Sequence, residues 1–118
     1  MESRIAEYMA KRPEGDVLRV LGMFGGALWL SEIEDEVRSM NSSLNEETTG
    51  DVRKAVNNLA REGIVTVERR ERSDLSGKTI KDHLVRLCEW REVVVILARD
   101  EKFRKYNALR SSLYKAYG

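Results

Sequence analysis

Cysteine, histidine and proline each occur once in these 118 residues, as Cys88, His83 and Pro13. A single thiol cannot build an intramolecular disulfide framework, so the chain suits a reducing cytoplasm. Cys88 and His83 also fall short of the four ligands of a structural metal site. They lie five positions apart on a β-rich run, where alternation sends them to opposite faces and excludes a Cys–His catalytic pair. No apolar run approaches the roughly 20 residues needed to span a bilayer. The opening MESRIAEYMAKR has no apolar centre, so neither a secretory signal nor a membrane partner is expected.

A dominant charge is missing too: the formal net charge is +1. That balance hides a division along the chain. Residues 1–52 hold 5 Lys/Arg and 11 Asp/Glu, a net of −6, whereas residues 53–118 hold 16 and 9, a net of +7. The halves can attract each other within the fold, but a basic second half also suits a polyanion. Catalytic groupings are lacking. Glu32, Glu34, Asp35 and Glu36 point around a helix rather than into one pocket. The SGKT at 76–79 is not a P-loop ending, because Arg72 stands where that motif needs glycine. No enzymatic activity, metal or cofactor is therefore expected.

What is present is periodicity. Ile5, Tyr8 and Met9 predict a short helix before Pro13; Val17, Val20, Leu21 and Phe24 predict a second, ended by Gly25-Gly26. ALWL at 27–30 reads as a small buried strand. Ser31 and Glu34 form a capping-box pair opening a helix with Ile33, Val37 and Met40 inside. After the turn-rich NSSLNEETTG at 41–50, a third such helix carries Val52, Ala55, Val56 and Leu59 inward and stops at Gly63, with Asp51 as a partner for its dipole. The period then changes toward two in IVTVERRER and IKDHLVRLC, joined by the hairpin tip SDLSGKT. Trp90, Val93, Val94 and Leu97 restore the helical period, and a second stripe follows around Asp100, in one helix or two. The expected class is α+β, mostly α.

The stretches LSEIEDEV, TTGDVRKAVNNLAREGIVTVERR and GKTIKDHLVRL resemble winged helix-turn-helix transcriptional regulators of the MarR and PadR kind. In those families a capped second helix leads to a recognition helix ending in Leu-x-x-x-Gly-Ile/Leu-Val, and Leu59, Gly63, Ile64 and Val65 stand in those places. The resemblance covers about residues 14–88, and the long turn at 41–48 is nearer the PadR pattern. It implies a winged-helix domain at 1–88 with a leading helix, and a helical extension at 89–118 serving dimerisation.

The resemblance also implies double-stranded DNA as partner, with the recognition helix in the major groove and the hairpin wing on the backbone. Thr48, Thr49, Arg53, Lys54, Asn57, Asn58 and Arg61 are the candidate helix contacts: threonine and a helix N-terminus suit phosphate, arginine suits guanine, asparagine suits adenine. Arg69, Arg70, Arg72, Lys78 and Lys81 are the candidate phosphate contacts of the wing, although alternation puts Arg69 on the face opposite Arg70 and Arg72. Phe103, Tyr106, Leu109, Leu113 and Tyr117 are the candidate homodimer stripe, so that removing residues 100–118 would leave a folded monomer. These expectations make the chain a prokaryotic cytoplasmic transcriptional regulator, whose small-molecule effector, if any, the residues do not name. The other reading is a winged helix used as a protein–protein module in a larger complex.

Overall fold

The computed structural model describes the backbone of residues 2–117 and the side chains of residues 4–113. The elements run α1 (Glu2–Met9), α2 (Glu14–Met23), β1 (Ala27–Trp29), α3 (Leu30–Ser43), α4 (Val52–Arg61), β2 (Val65–Ser73), β3 (Thr79–Leu87), α5 (Trp90–Leu97) and α6 (Glu101–Tyr117). The result is α+β and mostly helical, with one antiparallel sheet in the order β1-β3-β2.

Helix α2 is the centre. Val17, Leu18, Val20 and Leu21 wrap most of its circumference and are all buried, which a helix tolerates only when covered on every side. Helices α1, α3, α4 and α5 supply that cover. Ile33, Val37 and Met40 from α3, and Val52, Ala55, Val56 and Leu59 from α4, are buried as their spacing requires. Leu28 and Val67 both register with the fully buried Val85, so one face of the sheet closes the core beneath the helices.

Gly63 ends α4. Its φ of 74° lies in the left-handed region, where a β-carbon would be strained. The amide of Ile64 then bonds back to the Leu59 carbonyl at 3.0 Å, and Val65 starts β2.

The start of α3 differs from the expected capping box. The helix begins at Leu30, and Glu32 accepts the Trp29 backbone N–H at 3.1 Å. Ser31 instead donates its hydroxyl to Asp82 at 2.5 Å, and Glu34 pairs with Arg53. Long-range partners have taken both side chains from the local motif. The helix also runs past the expected turn at 41, because the Asn41 amide is fully buried among polar partners supplied by distant parts of the chain.

Those partners form a buried charged network. Asp16 accepts from Arg19 Nη1 at 3.0 Å, Lys102 Nζ at 2.8 Å and Asn41 Nδ2 at 3.1 Å. Arg19 also forks onto Asp100 at 2.7 and 2.9 Å. Asn41 takes Lys102 Nζ on its oxygen at 2.6 Å and gives its amide to Thr48 Oγ1 at 3.2 Å. Arg12 donates to the Glu47 carbonyl at 2.7 Å. The network thus joins α2, α3, α6 and the segment before α4. Asp100 also accepts the Phe103 backbone N–H at 2.8 Å. One carboxylate thereby anchors Arg19 and caps α6, which explains why the C-terminal region is two helices.

Burial by itself would raise the Asp16 and Asp100 pKa values. Hydrogen bonds from Lys102 and Asn41 to Asp16, and from Arg19 to Asp100, outweigh it and hold both below the ordinary 3.8. Asp82 is lowered in the same way against its burial, chiefly by Ser31. A carboxylate with a depressed folded pKa stabilises the fold above its unfolded pKa, and that contribution disappears as pH falls through the folded value. The urea midpoint is therefore expected to be insensitive to these groups near neutrality and to fall once pH drops below about 4. A midpoint that holds steady or rises between about pH 4 and 2 would contradict the ionised network.

Candidate nucleic-acid interface

Helix α4 turns its polar side outward. Asp51 caps it, accepting the backbone N–H groups of Arg53 and Lys54 at 2.9 and 3.2 Å. Its carboxylate is thus committed to the helix end. Lys54 and Asn57 are exposed, and with Asn58 and Arg61 they line one shallow hollow. Arg61 donates to the Asn58 side-chain oxygen, while the Asn58 amide reaches Glu14 Oε2 at 3.3 Å. Asn58 is therefore half-buried and braces α4 against α2. Arg53 is exposed but tied to Glu34 of α3 at 3.1 Å.

Thr48 and Thr49 precede α4 rather than occupying its first turn. Both are exposed, and Thr48 is held by Asn41 in a hollow shared with Glu34, Arg38 and Asp51. Sequence reasoning missed Asn41, since no local pattern marks a residue whose partners lie 25 and 61 positions away.

The hairpin of β2 and β3 sorts its basic residues. Arg69 is exposed on the face of Val65 and Val67, and Lys81 shares that face opposite Glu71. Lys78 is exposed at the tip. Arg70 is paired with Glu68 at 3.0 Å. Arg72 is turned to the domain: it meets Asp82 at 3.4 Å and lies over the Trp29 ring at 5.3 Å. Its half-buried position gives it a bracing role between hairpin and β1. Lys54, Arg69, Lys78 and Lys81 have no ion-pair partner among the described residues.

Hydrogen bonds tie the tip together. Asp74 accepts from Ser76 N–H at 2.9 Å, Ser76 O–H at 2.6 Å and Lys78 N–H at 3.0 Å. The Ser76 hydroxyl is the chief reason its carboxyl stays below the ordinary range. Gly77 has a φ of 86° and donates to the Asp74 carbonyl at 3.1 Å. This is the side-chain-to-backbone turn that an Asp-x-Ser-Gly run is suited to form.

The C-terminal stripe divides. Tyr106 is buried, and Phe103 packs against the domain's own core beside Leu97 and Gly22. Leu109 is half-buried, and Arg110 lies 4.7 Å over the Phe24 ring. Leu113 is exposed; the side chain of Tyr117 lies outside the described residues. Two of the five stripe residues thus serve their own domain. Trp90, Val94 and Val95 of α5 are exposed instead, so of the stripe from Trp90 to Leu97 only Val93 and Leu97 are buried.

No helix among the described residues is long and apolar enough to cross a membrane. The sequence matches no known family model, and no curated protein is significantly similar to it.

Proposed function

We propose that this chain is a winged helix-turn-helix protein that binds double-stranded DNA as a transcriptional regulator in the cytoplasm. Helix α4 is its recognition helix and the β2–β3 hairpin its wing. The observation that carries this reading is the outward face of α4. Lys54, Asn57 and Arg61 stand there with no acidic side chain among them, in a chain whose carboxylates nearly equal its cations. Asp51 is spent on the cap, and Glu62 at the far end pairs with Arg4 at 3.2 Å. Lys54 and Arg61 suit guanine edges or phosphates, Asn57 suits adenine, and Arg69, Lys78 and Lys81 suit phosphates.

In this reading Lys54→Ala with Asn57→Ala leaves the fold intact, because both side chains are exposed. It reduces discrimination among DNA sequences by about 1–3 kcal/mol for each base-edge hydrogen-bonded pair removed. Competition between duplexes selected from a random pool measures it, and unchanged selectivity removes α4 from the role. Binding through about six phosphates has a log–log salt slope near −5.

A homodimer on a two-fold site completes the reading, with Trp90, Val94, Val95 and Leu113 as apolar surface left for the second copy. Sedimentation as a monomer at tens of micromolar would remove the dimer. The same exposed apolar surface favours a second reading, a winged helix docking a protein in a larger complex. In that case binding is nearly indifferent to salt.

A further inference from the structure

Residues 46–50 belong to no helix or strand, yet they carry Thr48 and Thr49 and deliver the chain to the Asp51 cap of α4. An irregular stretch lacks a ladder of its own bonds, so its pose depends on what it rests against. Here it rests on the turn between α1 and α2. Arg12 Nη2 donates to the Glu47 carbonyl at 2.7 Å, and Nη1 lies 3.6 Å from the Glu46 carboxylate. Beside it Pro13 packs on Gly50 so closely that a β-carbon there would lie 2.8 Å from the ring. From within the fold, the fully buried Asn41 donates to Thr48 at 3.2 Å, and Lys102 meets Glu46 at 3.3 Å. Glu46, Glu47, Thr48 and Gly50 are thus all held by groups outside the segment.

Arg12 differs from the other charged members of this network. Its side chain is 37% exposed and stands 3.6 Å from Asp16, which already has Arg19 and Lys102, so it adds little to the buried cluster. Its shortest bond goes instead to a backbone carbonyl of the irregular segment. We infer that Arg12 is a positioning residue for DNA binding: it seats residues 46–50 on the α1–α2 turn and so sets where Thr48, Thr49 and the first turn of α4 meet the duplex. This inference rests on the DNA-binding reading above. A segment released from its seat samples many poses, and binding then has to order it again. Ordering the backbone of one residue costs roughly five- to thirtyfold in affinity.

The test uses the full chain, a duplex selected from a random pool and an unrelated duplex of equal length. Affinities are measured well below each variant's melting midpoint, where a residue of purely structural importance leaves the folded chain binding as before. Arg12→Met is expected to bind the selected duplex about five- to thirtyfold more weakly. Its affinity for the unrelated duplex should change less, and its salt slope should stay that of the wild type. Gly50→Ala disturbs the same seat from the Pro13 side without removing a charge, and the same signature is expected. The two substitutions together should cost less than the sum of the single losses, because the segment is already free. Arg12→Lys, which keeps a donor for the Glu47 carbonyl, should recover most of the selectivity.

Wild-type binding by either Arg12→Met or Gly50→Ala would overturn the positioning role and leave the DNA reading standing. So would a loss shared equally by all sequences with a salt slope shallower by about 0.9, which would make Arg12 a direct phosphate contact. Absence of any DNA binding by the wild-type chain would overturn both.

Discussion

Replacing Asp16 by alanine is expected to destabilise the fold by about 3–5 kcal/mol, the usual consequence of removing one partner from a buried ion network. Asp16 is 1% exposed and accepts from Arg19, Lys102 and Asn41 together. Its loss leaves the Lys102 ammonium with only Asn41 and the more exposed Glu46, 3.3 Å away. Arg19 keeps Asp100 but loses its second anion. Urea denaturation measures the effect. Adding Lys102→Met to the Asp16→Ala chain should cost much less than Lys102→Met in the wild type, because the second charge is already uncompensated. A loss for Asp16→Ala under about 1 kcal/mol, or additive effects, would mean that the network is solvated and weak.

Removing residues 100–118 is expected to abolish cooperative folding rather than to release a folded monomer. The deletion takes away Asp100 from Arg19 and Lys102 from Asp16, leaving a buried guanidinium and a buried carboxylate each short of a partner. It also uncovers Leu97, which is 2% exposed, and removes the buried Tyr106 and the packed Phe103 from the core. Lost apolar burial and a buried ion network stripped of two members each cost several kcal/mol, and together they match the whole stability of a small domain. Circular dichroism through a thermal melt decides it. A sharp transition in the 1–99 chain would show that α6 is dispensable and return the entire stripe to an intermolecular role.

The second expectation reverses a sequence-based reading. The stripe of Phe103, Tyr106, Leu109 and Leu113 has helical spacing, which identifies an apolar face but carries no information on whether that face meets its own domain or a second copy. Tyr106 and Phe103 turned inward and Leu113 did not; Asp100 and Lys102 fasten the start of α6 to Arg19 and Asp16 of α2. Arg72 shows the same limit on a smaller scale. Alternation placed it opposite Arg69, on the same face as Asp82 of β3, but only the pairing of β1 with β3 brought the Trp29 ring beneath its guanidinium.

What the amino-acid sequence determined by itself is local. The spacings in α2, α3 and α4, the stop at Gly63, the period change at Ile64 and the Ser/Gly hairpin tip follow from backbone geometry and side-chain periodicity, which act over a few residues. The tertiary structure alone decided the pairings between distant residues. Lys102 reaches Asp16 across 86 positions, Ser31 reaches Asp82 across 51, and Arg53 is drawn to Glu34. A charged side chain has many possible partners in a chain with nearly balanced charge. Which one it meets depends on how the helices cross, and helix crossing is settled by the packing of the whole core.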